Sequence, residues 1–173
     1  MTPAATSLGQ LLGALPGFTA DYLAGTVQTI FHNGTAVDDL ATVLCGEKPV
    51  VALSAAMPGL AGAIFRKNSF HAALRSDTKS PKTLTNGQKN LIVTLKLFNT
   101  IALDRGEQLF HAGVCISTAA LSAFLLRRPD LLQEIKRIQL NGNDIGKAAM
   151  LQTIALQAKI QLKILDEIAI AND

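Results

Sequence analysis

Tryptophan is absent from this 173-residue chain, and aromatic residues make up only 5% of it. A core without large rings has to come from Leu, Ile, Val and Ala, which suits helices packed closely on each other or on a sheet. The same scarcity counts against single-strand nucleic-acid recognition, where bases stack on aromatic faces. Cysteine is nearly absent too. Cys45 and Cys115 both sit among apolar neighbours and read as free, reduced thiols rather than a disulfide framework. No basic residue precedes Lys48, so the apolar start MTPAATSLGQLLGAL lacks the charged region of a signal peptide and a cytoplasmic protein is expected. Uncharged runs at 49–65 and 109–126 are interrupted by Pro58, several glycines and hydroxyl residues. They fall short of the roughly 20 predominantly apolar residues of a spanning helix, and no membrane partner is expected.

What is present is core material and an uneven charge distribution. The chain is 49% hydrophobic and 17% charged, a globular composition, and its length suits one domain over 1–173. Residues 1–47 carry a net charge of −4, residues 48–105 carry +7, and residues 106–173 balance to zero. A basic middle third next to an acidic first third predicts anionic partners, within the chain or outside it.

Ser7 is placed to cap a short helix before Pro16-Gly17, and Thr19 or Asp21 to open a second. Residues 26–31 are β-branched and aromatic and lead into an Asn33-Gly34 turn signal. Thr35 is expected to cap a helix over 36–45. Residues 49–54 form a continuous apolar run of strand length, as in a parallel sheet covered on both faces. Residues 76–90, rich in Ser, Thr, Pro, Gly and Lys, read as an exposed loop. Residues 91–98 fit a strand or a helix equally. A short strand at 112–117 precedes a helix that Pro129 stops, and Asn141-Gly142 signals a hairpin. Asp144 is expected to cap a long final helix over 145–171. The resulting fold class is α/β: a mainly parallel sheet of four to five short strands, helices on both faces and a long C-terminal helix. An all-α bundle is the alternative.

Four stretches carry candidate chemistry. After the strand at 49–54, the small residues from Ser54 through Met57 to Gly59 form a strand–turn–helix connection, where backbone N–H groups can meet an anion. Arg66, Lys67, His71 and Arg75 follow. On one continuous helix Lys67, His71 and Arg75 would share a face, to be neutralised by a ligand or by the acidic first third. Asp104, Glu107, His111 and Cys115 recur at helical spacing, a carboxylate, imidazole and thiol combination; two breaking glycines and too few ligands leave it short of a metal site. Lastly, Lys147 in GNDIGK fails the phosphate-loop pattern, because the glycine spacing is one residue short and Ala148 replaces the magnesium-holding hydroxyl.

The function expected from these residues is binding of a small anion or phosphorylated metabolite, with enzymatic activity undecided and no cofactor implied. The alternatives are an oligomeric assembly subunit packing through the C-terminal helix, and a nucleic-acid binder using the basic middle. The last is weakest, because no recognised module accompanies the lysines.

Overall fold

The computed structural model describes residues 6–75 and 91–166, together with the backbone of Thr2, Pro3 and Asn90. The loop expected at 76–90 lies outside the described residues except for Asn90. Two compact units divide the chain at Leu109 and Phe110. Among the described residues no helix is long and apolar enough to cross a membrane.

The first unit begins with β1 (Thr2–Pro3) and α1 (Leu8–Gly13). Ser7 caps α1 in a full capping box with Gln10, satisfying two otherwise orphaned backbone donors. Thr19 caps α2 (Ala20–Gly25) by accepting from the Tyr22 N–H, without a reciprocal bond. β2 (Thr29–His32) then turns at Asn33-Gly34, both in the left-handed region at φ 51° and 83°, the signature of a type I′ hairpin. That turn returns the chain as β3 (Thr35–Ala36). No helix follows at 36–45. Thr35 is consumed by the hairpin, and the Asp39 side chain accepts from the Ala41 N–H in a local turn. β4 (Val50–Ser54), α3 (Gly59–Phe65) and a 3-10 turn at Phe70–Leu74 come next, then β5 (Asn90–Leu91), β6 (Thr94–Phe98) and α4 (Thr100–Ala112).

The main sheet has the order β3-β2-β4-β6. It is mixed rather than mainly parallel, for β2 is antiparallel to both β3 and β4, and only β4 and β6 run parallel. The reason is connectivity. β4 reaches β6 through α3, whereas the link from β3 to β4 contains no helix to make a crossover. Residues 94–98 are thus strand, and the all-α alternative is excluded. The core joins Leu8, Leu11 and Leu12 of α1, Leu23 of α2, Ile30 of β2, Val51 and Leu53 of β4, and Ile101 of α4. Phe31, on the opposite side of β2 from Ile30, stacks at 5.3 Å on Phe65 of α3.

The second unit contains β7 (Val114–Ser117), α5 (Thr118–Arg127), α6 (Pro129–Glu134), β8 (Gln139–Leu140), β9 (Asn143–Asp144), α7 (Lys147–Ala155) and β10 (Lys159–Leu162). Ser117 caps α5, and Pro129 occupies the first turn of α6, where its missing N–H costs nothing. The Asn141-Gly142 turn joins β8 to β9 as expected. Asp144 does not cap a helix, because its carboxylate accepts two hydrogen bonds from Arg137 across that hairpin. The long helix expected at 145–171 is, within the described residues, the nine-residue α7 followed by β10, which pairs antiparallel with β7. The alternating Lys159, Ile160, Gln161 and Leu162 follow the period of two that a strand requires.

Candidate anion-binding cleft

Where β4 ends, the chain runs through Ala55–Pro58 into α3, and a cleft of about 160 Å³ opens there. Gln28, Thr29, Ala56, Met57, Gly62 and Arg66 form most of its wall. The geometry depends on Gly62, whose absent side chain lets α3 close on the Met57 carbonyl; a Cβ would collide with that oxygen.

Gln28 organises one side of the cleft. Its backbone N–H donates to the Ser54 carbonyl at 3.0 Å, and its carbonyl accepts from the Lys67 N–H at 2.6 Å. Its side-chain amide donates to Gly25 O at 2.5 Å, while its side-chain oxygen accepts from Arg66 Nε at 2.8 Å. Arg66 is thereby held at the cleft by a neutral partner. Among the described residues it has no acidic partner, and it is the only charged residue of the wall.

The other basic residues predicted alongside it have different fates. Arg66 leaves the helical region at ψ 133° and Asn68 turns left-handed at φ 56°, so the helix stops after Phe65 and no continuous face carries Lys67, His71 and Arg75. Lys67 turns its ammonium onto the carbonyls of Leu23 and Val27, at 2.7 and 2.9 Å, closing the end of α2. Burial lowers its pKa from the ordinary 10.5. Arg75 pairs with Asp38 at 2.8 Å and donates to the carbonyls of Ile64 and Arg66. The acidic first third therefore neutralises the basic middle third at this point. His71 is exposed, with its ring edge-on to Phe70 and its backbone N–H capped by Ser69. Ser54 is buried and accepts from the Asn99 side chain at 3.1 Å, and Gly59 opens α3 with φ 69°. Of the predicted anion set, Met57 and Arg66 line the cleft.

The second predicted cluster is only partly brought together, for Glu107 and His111 approach each other while Asp104 and Cys115 stand apart from them. Asp104 accepts from the Tyr22 hydroxyl at 3.1 Å, and the Arg105 guanidinium lies 3.8 Å over the Tyr22 ring. Burial, then the Asp104 hydrogen bond, raises the Tyr22 pKa above 10.0. Glu107 and His111 are one turn apart on α4, and His111 Nε2 is 3.5 Å from the Asp166 carboxylate. Gly113, at φ 96°, ends the helix, so Cys115 sits exposed on β7 and the four-residue spacing does not carry to it.

Gln28 and Thr29 are absent from the predicted set because nothing in the pattern TVQTIF distinguishes them from ordinary strand residues. His32 and Asn33 likewise give no local signal, yet they meet Cys45 in space. The fold and the cleft define a mixed α/β protein in which the Arg66 guanidinium, held by Gln28, stands at a strand end with no carboxylate partner among the described residues. Comparison with known proteins adds no relative: no family model, no curated protein and no solved structure matches the chain.

Proposed function

We propose that the cleft beside Arg66 binds a small anion, either inorganic or the phosphate or carboxylate end of a small metabolite. The observation that carries this reading is Arg66 itself, a cation at a strand end with a neutral holder and no carboxylate partner among the described residues. Arginine is suited to this role, since its planar fork meets oxyanions through two parallel hydrogen bonds. The cleft's size suits an anionic head group, being below the roughly 300–1,000 Å³ of pockets that enclose drug-sized ligands. Among the described residues its wall includes no carboxylate, imidazole or thiol. Binding is therefore favoured over acid–base or nucleophilic catalysis.

Phosphate, sulfate and short carboxylates are expected to raise the melting temperature, by linkage of binding to folding. Arg66→Ala should abolish the shift while leaving the unliganded melting temperature nearly unchanged. A panel of such anions that moves neither protein would overturn the reading.

A second reading has its own observation. Phe124, Leu126, Leu156, Ile164 and Leu165 of the second unit are all exposed, as expected of an oligomeric subunit whose partner covers them. Light scattering at low protein concentration decides it, and a monomer counts against assembly.

A further inference from the structure

We propose that His32 is an acid-sensitive latch, holding the segment around Cys45 against the main sheet while neutral and releasing the Cys45 thiol when protonated. His32 ends β2, paired with Val51 on β4 and Thr35 on β3, and is only 1% exposed. Three groups with hydrogens to donate converge on its Nε2. They are the Cys45 backbone N–H at 3.4 Å, the Asn33 side-chain amide at 3.3 Å and the Cys45 thiol at 4.0 Å. A nitrogen receiving donors carries a lone pair, which puts the single ring proton on Nδ1. Nδ1 is buried and has no partner.

A second proton has to go onto Nε2, where it would face donors instead of acceptors. It would also place a charge among apolar neighbours without compensation. No ionisable side chain on β2, β3 or β4 is available to offset it, these strands being Thr29–His32, Thr35–Ala36 and Val50–Ser54. Among the described residues Cys45 is the one titratable group in contact with the ring, and no charged side chain acts on it. Consistent with that setting, burial lowers the imidazole pKa from 6.5.

Protonation is relieved if the Cys45 segment moves away and admits water. Cys45 itself is tied by the His32 contact and by Asn33 Nδ2 to Cys45 O at 3.1 Å. The chain before it is anchored more firmly, by Leu44 N to Thr6 O at 3.0 Å, Leu8 N to Thr42 O at 2.9 Å, the Ser7–Val43 bridge and the buried Leu44 side chain, so the movement is confined to Cys45 and the residues that follow it. Cys45, 8% exposed, is the group uncovered.

The sign follows from linkage. A histidine with a depressed native pKa stabilises the closed form fully above about pH 6.5. Below that the open form binds more protons, and the closed-to-open ratio falls by at most about tenfold per pH unit.

The test uses the full chain with Cys115→Ser, which leaves Cys45 as the sole thiol, and a dithiodipyridine reagent that reacts in acid. Relative to a free-thiol control, labelling of Cys45 should accelerate several-fold between pH 6.5 and 5 while far-ultraviolet circular dichroism stays constant. Adding His32→Gln should flatten that dependence. If that double variant does not fold, nitrogen-15 spectra of the wild-type rings decide. The proposal requires an Nδ1–H ring still neutral at pH 6. A ring titrating at 6.5, an Nε2–H tautomer, labelling that tracks the control, or labelling that merely follows global unfolding would each overturn it.

Discussion

The two units stabilise themselves by different means. Thirteen of the buried apolar residues belong to the first unit, against two, Leu125 and Ile154, in the second among the described residues. In the first, α1, α2 and α4 cover one face of a four-stranded sheet, and burial of Leu8, Leu12, Leu53 and Ile101 dominates. At roughly 1.5–3 kcal/mol for each large side chain, that is the main term. The second relies on the four-residue ladder between β7 and β10, a hydrogen bond from the Thr118 hydroxyl to Gln157 O, and the Arg137–Asp144 pair. An isolated two-stranded ladder is marginal in water. Specific bonding without a packed interior gives a definite shape with little resistance to opening.

Core truncation separates the units most sharply. Leu53→Ala should cost about 3 kcal/mol in urea unfolding, whereas Leu156→Ala, at 86% exposure, should stay within about 0.5 kcal/mol. An equal cost at Leu156 would break the comparison and show that a partner covers it in solution. Next in size is the ion pair between the acidic and basic thirds. Arg75→Ala removes the ion partner of Asp38 and one donor each from the Ile64 and Arg66 carbonyls, and about 2 kcal/mol is expected after allowing for solvent at Asp38. Arg66→Ala, losing one neutral partner, should cost well under 1 kcal/mol. Hydrogen exchange gives a third measure. Amides of β7 and β10 should exchange at least about tenfold faster than those of β2 and β4, and equal protection would show the second unit to be as cohesive as the first.

The smallest effects are electrostatic. Tyr22 is the only tyrosine, so its ultraviolet titration is clean. Asp104→Asn should bring its raised pKa back toward 10.0, removing an interaction that stabilises the fold below that pH and is lost above it. In the second unit the exposed Arg137 holds the Asp144 carboxyl below 3.8. Arg137→Ala should bring it back toward 3.8 by carboxyl NMR titration, with the Gln139 hydrogen bond still lowering it somewhat, and no movement at all would mean that Arg137 does not supply the stabilisation.

What could be read from the sequence was whatever depends on neighbours along the chain. Ser7 and Thr19 declared their caps, Asn33-Gly34 and Asn141-Gly142 their hairpins, and the apolar run ending at Ser54 its strand. The strand direction of β2 against β4 was hidden, because nothing local distinguishes a crossover from an antiparallel return. Asp144 illustrates the same limit. Its position suits a helix cap, but Arg137 offers two charged hydrogen bonds instead. At the cleft, Met57 and Arg66 were visible from spacing. Gln28 was not, because its importance lies in four bonds to Gly25, Ser54, Arg66 and Lys67. Likewise the basic run 66–75 looked like one patch, but the chain leaves the helix at Arg66 and turns at Asn68, so that Arg66 meets a neutral partner while Lys67 and Arg75 are committed to carbonyls and to Asp38.

Of the three asparagine–glycine pairs in the chain, the two that form described turns, Asn33-Gly34 and Asn141-Gly142, also differ in how they age. Attack of a glycine's backbone nitrogen on the preceding side-chain amide, giving a succinimide and then isoaspartate, needs that amide free to swing. At the first turn Asn33 is fastened at both ends, its oxygen accepting from the Val50 N–H at 2.8 Å and its nitrogen donating to Cys45 O. Asn141 is exposed and has no such ties among the described residues. Of these two turns, the β8–β9 hairpin should therefore wear first and the β2–β3 hairpin stay intact, an order that peptide mapping of a stored sample reads directly.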